Sequence, residues 1–123
     1  GNIIFLNFFQ DMPSLINLAD VGIYPYDTVY PKFEIPMILL ELLSQKKPVV
    51  VTDIPPQNEV LADKHVGIKV KKGDDETFAD ATVKLLKNEG LRKKLGEEGR
   101  KLIVEEYDIR KVAKDYERLY DSI

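Results

Sequence analysis

The chain reads as an α/β domain built on a parallel sheet, and three observations predict it. First, short apolar runs rich in β-branched and aromatic residues recur at residues 3–7, 21–25, 48–52 and 66–70. Each is too short for a helix and suits a buried strand. Second, helical stretches alternate with these runs, the order expected when helices cover both faces of a parallel sheet. Third, 123 residues with 44% hydrophobic content suit one domain with a buried core. The expected architecture is a parallel sheet of about four strands with flanking helices, over residues 1–123 as a single domain.

The elements follow in order. Residues 13–19 come after Asp11 and open with Pro13 at a first-turn position, and residues 36–44 repeat that start with Pro36. A short third helix is expected over residues 57–62. Residues 74–88 open with Asp74, Asp75 and Glu76 and run up to Gly90, the usual polarity of a capped helix. Residues 91–106 place Leu91, Leu95, Leu102 and Ile103 on one stripe despite Gly96 and Gly99. Residues 109–120 do the same with Ile109, Val112, Ala113, Tyr116, Leu119 and Tyr120. Residues 84–123 are thus a helical C-terminal part. No repeat, heptad or low-complexity tract interrupts the pattern.

Charge narrows the function classes. The chain carries 18 Lys+Arg and 21 Asp+Glu, a net −3. Residues 84–118 hold 11 basic and 8 acidic side chains, which leaves the remainder at −6. A mildly acidic chain gives no general case for nucleic acid or an anionic membrane as partner, since both favour excess Lys and Arg. Without cysteine there is no disulfide, thiolate zinc site or iron–sulfur cluster. No window approaches the ~18 consecutive apolar residues of a spanning helix. No secretory leader is recognisable, so a cytoplasmic location is expected.

In open parallel sheets, ligands bind outside the carboxyl ends of the strands. Here those ends are residues 7–11, 25–36, 52–58 and 71–74. The 25–36 loop is the longest and leads into a helix start, where unpaired N–H groups and a partial positive charge favour phosphate. Pro36 removes one donor, while Met37 and Ile38 keep theirs. A plain strand-to-helix loop is the simpler reading.

Glu41 stands out because every other residue from 35 to 43 is Ile, Pro, Met or Leu. A helix apolar on nearly all sides is buried, and an ionised carboxylate there needs a partner. Ribose hydroxyls would serve, and so would an ion pair with Lys46, Lys47 or a later Arg. Glu34 lies in the loop before the helix and can face the same crevice, or be a solvated residue at a positive helix start. Thr52 and Asp53 end the third apolar run, where a ligand contact or a simple turn into Pro55-Pro56 are both open. His65 is the single histidine and has no second ligand at metal spacing, so it reads as surface and no metal site is expected. Seven of the 11 aromatics fall within residues 1–33 and read as core and loop packing.

Taken in order, several segments resemble the C-terminal, donor-binding half of group 1 glycosyltransferases of the GT-B fold. They are Asn2-Ile3-Ile4-Phe5-Leu6-Asn7-Phe8, Leu18-Ala19-Asp20-Val21-Gly22-Ile23-Tyr24-Pro25, Pro36-Met37-Ile38-Leu39-Leu40-Glu41-Leu42-Leu43, Lys47-Pro48-Val49-Val50-Val51-Thr52-Asp53 and Gly67-Ile68-Lys69-Val70, with a closing helix around Tyr116 and Tyr120. The resemblance implies a Rossmann-like fold and a nucleotide-diphosphate-sugar donor, handled without a metal or other cofactor. Glu41 matches the second glutamate of the family's two-glutamate motif and would hold the ribose hydroxyls. The N–H groups around Ile35, Met37 and Ile38 would face the diphosphate and sugar. At the family's spacing the first glutamate falls on Phe33, with Glu34 one residue late. Glu34 is the catalytic candidate. The glycines usual after the first glutamate are missing, and Ile38 stands where some relatives carry a phosphate-binding lysine.

The resemblance also implies larger pieces outside these residues, namely an N-terminal acceptor domain and the first strand and basic loop of the donor domain. The expectation is therefore a piece of a glycosyltransferase, inactive alone, able to pair with another copy through exposed sheet edges. The alternative is a standalone flavodoxin-like or receiver-like module, which the length would fit. A receiver needs an acidic pair after its first strand, and Phe8-Phe9-Gln10-Asp11 does not supply it.

Overall fold

Three consecutive valines make the centre of the fold. A computed structural model describes residues 2–27, 36–62 and 64–123. In it β2 (Val49–Thr52) is buried along its whole length between two parallel neighbours, β1 (Gly22–Tyr24) and β3 (Gly67–Val70). The register sets Ile23 beside Val50 and Val50 beside Ile68. A strand covered on both faces has no polar side to show, which is why β2 reads as a continuous apolar run instead of an alternation.

Helix α1 (Met12–Leu18) precedes β1, α2 (Met37–Ser44) and α3 (Gln57–Leu61) join the strands, and α4 (Asp75–Lys87), α5 (Glu89–Glu106) and α6 (Ile109–Asp121) follow β3. Val49 and Val51 point to one face and pack with Ile16, Leu39, Leu43, Val60, Leu61 and Leu102. Val50 points to the other, against Val70, Ala81, Leu85 and Leu95. Leu39 and Leu43 are fully buried; each contributes roughly 2–3 kcal/mol by leaving water. Helix starts are set locally. The Asp11, Asp74, Asn88 and Asp108 side chains accept hydrogen bonds from the backbone N–H groups of Ser14, Thr77, Leu91 and Arg110.

Helix α5 ties the two faces together, because Leu95 joins the Val50 side and Leu102 the Val49 side. It does so by passing very close to the end of α2. A Cβ on Gly96 would meet the Lys46 carbonyl oxygen, and one on Gly99 would lie 2.9 Å from a Leu43 methyl. The end of α2 is itself a Schellman turn. Lys46 N–H donates to the Leu43 carbonyl at 3.1 Å and Lys47 N–H to the Leu42 carbonyl at 2.9 Å. Lys46 occupies the left-handed position of that turn, with φ 60°.

Two expectations are corrected. The sheet has three strands among the described residues, not about four, because residues 3–7 form no strand. Ile3, Ile4 and Phe5 are 80%, 81% and 88% exposed. A strand exists only where a neighbour pairs its backbone, and no described segment lies alongside this one to do so. Phe5, Phe8 and Phe9 are accordingly exposed, not packed in the core. The apolar stripe of α6 forms as expected but has no buried residue. Among the described residues no helix is long and apolar enough to cross a membrane.

Candidate functional site

Helix α2 begins at the carboxyl end of the sheet with Pro36 as its N-cap, and no side chain caps it. The N–H groups of Leu39 and Leu40 turn back to the Pro36 carbonyl at 3.0 and 3.4 Å. Those of Met37 and Ile38 have no acceptor among the described residues. Met37 is exposed and Ile38 half-buried. A first turn left open in this way keeps its donors and its partial positive charge available to an anion.

Glu41 sits in the second turn of α2 and is half-buried. Its position places it one turn beyond the start of α2, which lies at the carboxyl end of the sheet. Of the two partners considered for it, the ion pair is not formed. Lys47 Nζ donates to the Asn17 carbonyl at 2.9 Å and Arg100 to the Ser44 carbonyl at 3.2 Å. Among the described residues no cation pairs with Glu41.

The other candidates divide. Phe33, Glu34 and Ile35 lie outside the described residues. Thr52 is buried on the face away from α2, in an open cleft of about 520 Å³ lined by Ile23, Asp27, Lys71, Asp74 and Phe78 among others. Asp53 is exposed; its N–H donates to the Val70 carbonyl at 2.7 Å and its carboxylate accepts from Asn58 Nδ2 at 3.1 Å. Among the described residues the buried Asn58 Oδ1 has no hydrogen-bond partner. Met37, Ile38 and Glu41 thus share one helix at the β1 end, while the Thr52 side chain points to the opposite side of the sheet. His65 is exposed, as its sequence context predicts.

Two features at these strand ends carry no clear signal in the sequence. Gln57 is buried, and its Nε2 donates to the Tyr26 carbonyl at 3.2 Å; a glutamine at a helix start is an ordinary residue. The rings of Tyr24 and Tyr26 stack at 4.9 Å between centroids. Burial, and secondarily the Tyr26 hydroxyl, pushes the Tyr24 hydroxyl above the usual tyrosine range.

The architecture is that of an α/β domain with a parallel sheet, in which the uncapped start of α2 lies at the strand ends. The profile of the family "Glycosyl transferases group 1" matches residues 1–102, so the chain belongs to the group 1 glycosyltransferases. It is 36% identical over 87 residues to phosphatidyl-myo-inositol mannosyltransferase of Mycobacterium leprae, covering 71% of this chain and 23% of that protein. Identity to N-acetyl-alpha-D-glucosaminyl L-malate synthase of Bacillus anthracis is 25% over 121 residues, 98% of this chain and 31% of the relative. The chain therefore spans about a quarter to a third of the length of these relatives. Among solved structures, the C-terminal domain of a group 1 family glycosyl transferase (LpcC) from Francisella tularensis superposes with a TM-score of 0.66 at 25% identity. That match covers 87% of this chain and 53% of the other. The fold is the Rossmann-like one of a GT-B C-terminal domain, and family membership replaces the standalone receiver-like alternative.

Proposed function

We propose that this domain binds the nucleotide-diphosphate sugar donor of a glycosyltransferase, and that the whole protein transfers that sugar to an acceptor held by an N-terminal domain. The carrying observation is Glu41, a half-buried carboxylate with no cation partner among the described residues, one turn beyond the start of an otherwise apolar helix. Ribose presents two adjacent hydroxyls, which match the acceptor-only chemistry of an ionised carboxylate. The N–H groups of Met37 and Ile38 then face the diphosphate, as helix starts do. Asp53 borders the crevice at the end of β2, while Thr52 reaches the donor only from the cleft on the other face of the sheet. In this reading Glu34, with Phe33 and Ile35 beside it, assists the sugar or the departing phosphate, and no metal or cofactor takes part. In this reading the 123 residues, about a quarter to a third of the length of the relatives, do not turn over alone.

The test is Glu41→Ala in the full-length protein, with UDP, GDP and ADP titrated calorimetrically. Losing two hydroxyl bonds to a charged acceptor costs about 2–3 kcal/mol, roughly a 30- to 150-fold weaker Kd for the preferred nucleotide. Unchanged affinity for all three nucleotides would overturn the assignment.

A further inference from the structure

Thr52 and Gln57 are the buried polar residues among those described. Gln57 uses its amide, donating to the Tyr26 carbonyl. Thr52 is 5% exposed, and its hydroxyl has no hydrogen-bond partner among the described residues. A hydroxyl taken out of bulk water in that state costs free energy unless water or a ligand satisfies it. The oxygen is not sealed off, because the fully enclosed side-chain atom without a partner is Asn58 Oδ1. It opens to the cleft that Thr52 lines, about 520 Å³ between the sheet and the first half of α4.

This cleft stands at the carboxyl ends of all three strands, since Pro25 follows β1, Thr52 ends β2 and Lys71 follows β3. Its volume is that of a small-molecule site. Ile23 and Val83, 52% and 44% exposed, line it together with the half-buried Phe78. A ligand with an apolar body gains by covering them.

Charge selects the sign of the ligand. Three carboxylates, Asp27, Asp74 and Asp75, line the cleft against one ammonium, Lys71. The start of α4 would suit an anion, but Asp74 already fills it, accepting from the Thr77 N–H at 3.0 Å and the Thr77 hydroxyl at 2.7 Å. Asp27 and Asp75 have no ion-pair partner among the described residues. A phosphate meets net repulsion here and an ammonium meets attraction. Among the described residues no three acidic or histidine side chains come together to hold a metal ion, so the match is to an organic cation.

We propose that this cleft binds a small organic amine, with its ammonium against Asp27 and Asp75, its apolar body on Ile23, Phe78 and Val83, and a polar group on the Thr52 hydroxyl. Glu41 lies on the opposite side of the sheet, so the site is separate from the one proposed for ribose and diphosphate.

The experiment titrates the full-length protein with tyramine, which carries an ammonium, a ring and a hydroxyl, and follows binding through the NMR signals of the probe. Phenethylamine, which lacks the hydroxyl, and para-hydroxyphenylacetate, which has a carboxylate in place of the ammonium, are run beside it. Tyramine is expected to bind with a Kd of about 1 mM. Phenethylamine is expected to bind about three- to tenfold more weakly, the range of one neutral hydrogen bond, and the carboxylate not at all. Thr52→Val is expected to abolish the difference between the two amines. Asp27→Asn and Asp75→Asn are expected to weaken both amines about two- to fivefold, whereas Asp80→Asn, on α4 but outside the cleft, leaves them unchanged. Thermal unfolding of each variant shows that it is folded, and the comparison of probes on the parent protein holds whatever the variants do. Absence of saturable tyramine binding up to about 10 mM would overturn the proposal, as would equal binding of all three probes, or amine binding indifferent to Thr52→Val and both aspartate variants. Binding by the 123-residue chain with none by the full-length protein would overturn it too, because the cleft is then covered by another part of the same polypeptide.

Discussion

Gly96→Ala is the sharpest test of how the two faces of the sheet are held together. A methyl group at this position would meet the Lys46 carbonyl oxygen, with the Lys46 carbonyl carbon at 2.9 Å and its Cα at 3.4 Å. All three are backbone atoms at the end of α2, so no side chain can swing aside. Helix α5 must instead lift away from α2, loosening the Gly99–Leu43 contact one turn further along. Overpacking against well-ordered atoms costs about 1–3 kcal/mol, and a rigid backbone obstacle puts this site at the upper end or slightly beyond. Alanine recovers about 1 kcal/mol through its better helix propensity. The net expectation is a loss of roughly 2 kcal/mol, which for a domain of this size lowers Tm by about 8 °C. Circular dichroism at the helix band, by heat and by urea, measures it on the purified chain. Gly90→Ala is the control, because its nearest neighbour is the Asn88 Oδ1 at an ordinary 3.6 Å; there the propensity term acts without the clash. If Gly96→Ala is as stable as the parent, or gains like Gly90→Ala, then α5 does not approach α2 as described.

Two further outcomes are expected. Lys46→Gly relieves the left-handed φ of 60° at the Schellman turn; a gain of about 0.5–1 kcal/mol in urea unfolding is expected, and a loss would contradict the turn geometry. Hydrogen bonds from Ser14 and Thr77 hold the Asp11 and Asp74 carboxyls below the usual carboxylate range. Because their folded-state pKa values are depressed, the stability they supply is present above the unfolded value of about 3.9 and is lost as pH falls through the folded values. Asp74→Asn should flatten the acid limb of the stability–pH curve; an unchanged limb would remove this cap from the account.

Much of the fold was legible because it depends on local chemistry. The three apolar runs that became strands, the Asp11 and Asp74 caps, and the prolines at the starts of α1 and α2 each state their structure within a few residues. The run at residues 3–7 misled for the converse reason, since its composition is that of a strand while strand formation depends on a neighbour. In the candidate site, Glu41 was legible as the one carboxylate in an apolar helix. That no described cation pairs with it was not, because two candidates, Lys47 and Arg100, choose backbone carbonyls of α1 and α2 that only the packed structure brings within reach.

The sequence alone determined the helices, the three strands that formed, their order and the acidic residue most worth testing, because periodicity, capping and a charge out of place are properties of short segments. The tertiary structure decided what depends on distance through space. It brought Gly96 against Lys46, set Thr52 and Glu41 on opposite sides of one sheet, and linked Gln57 to Tyr26. Such contacts join residues tens of positions apart and are fixed by how whole elements pack, so no window of sequence contains them.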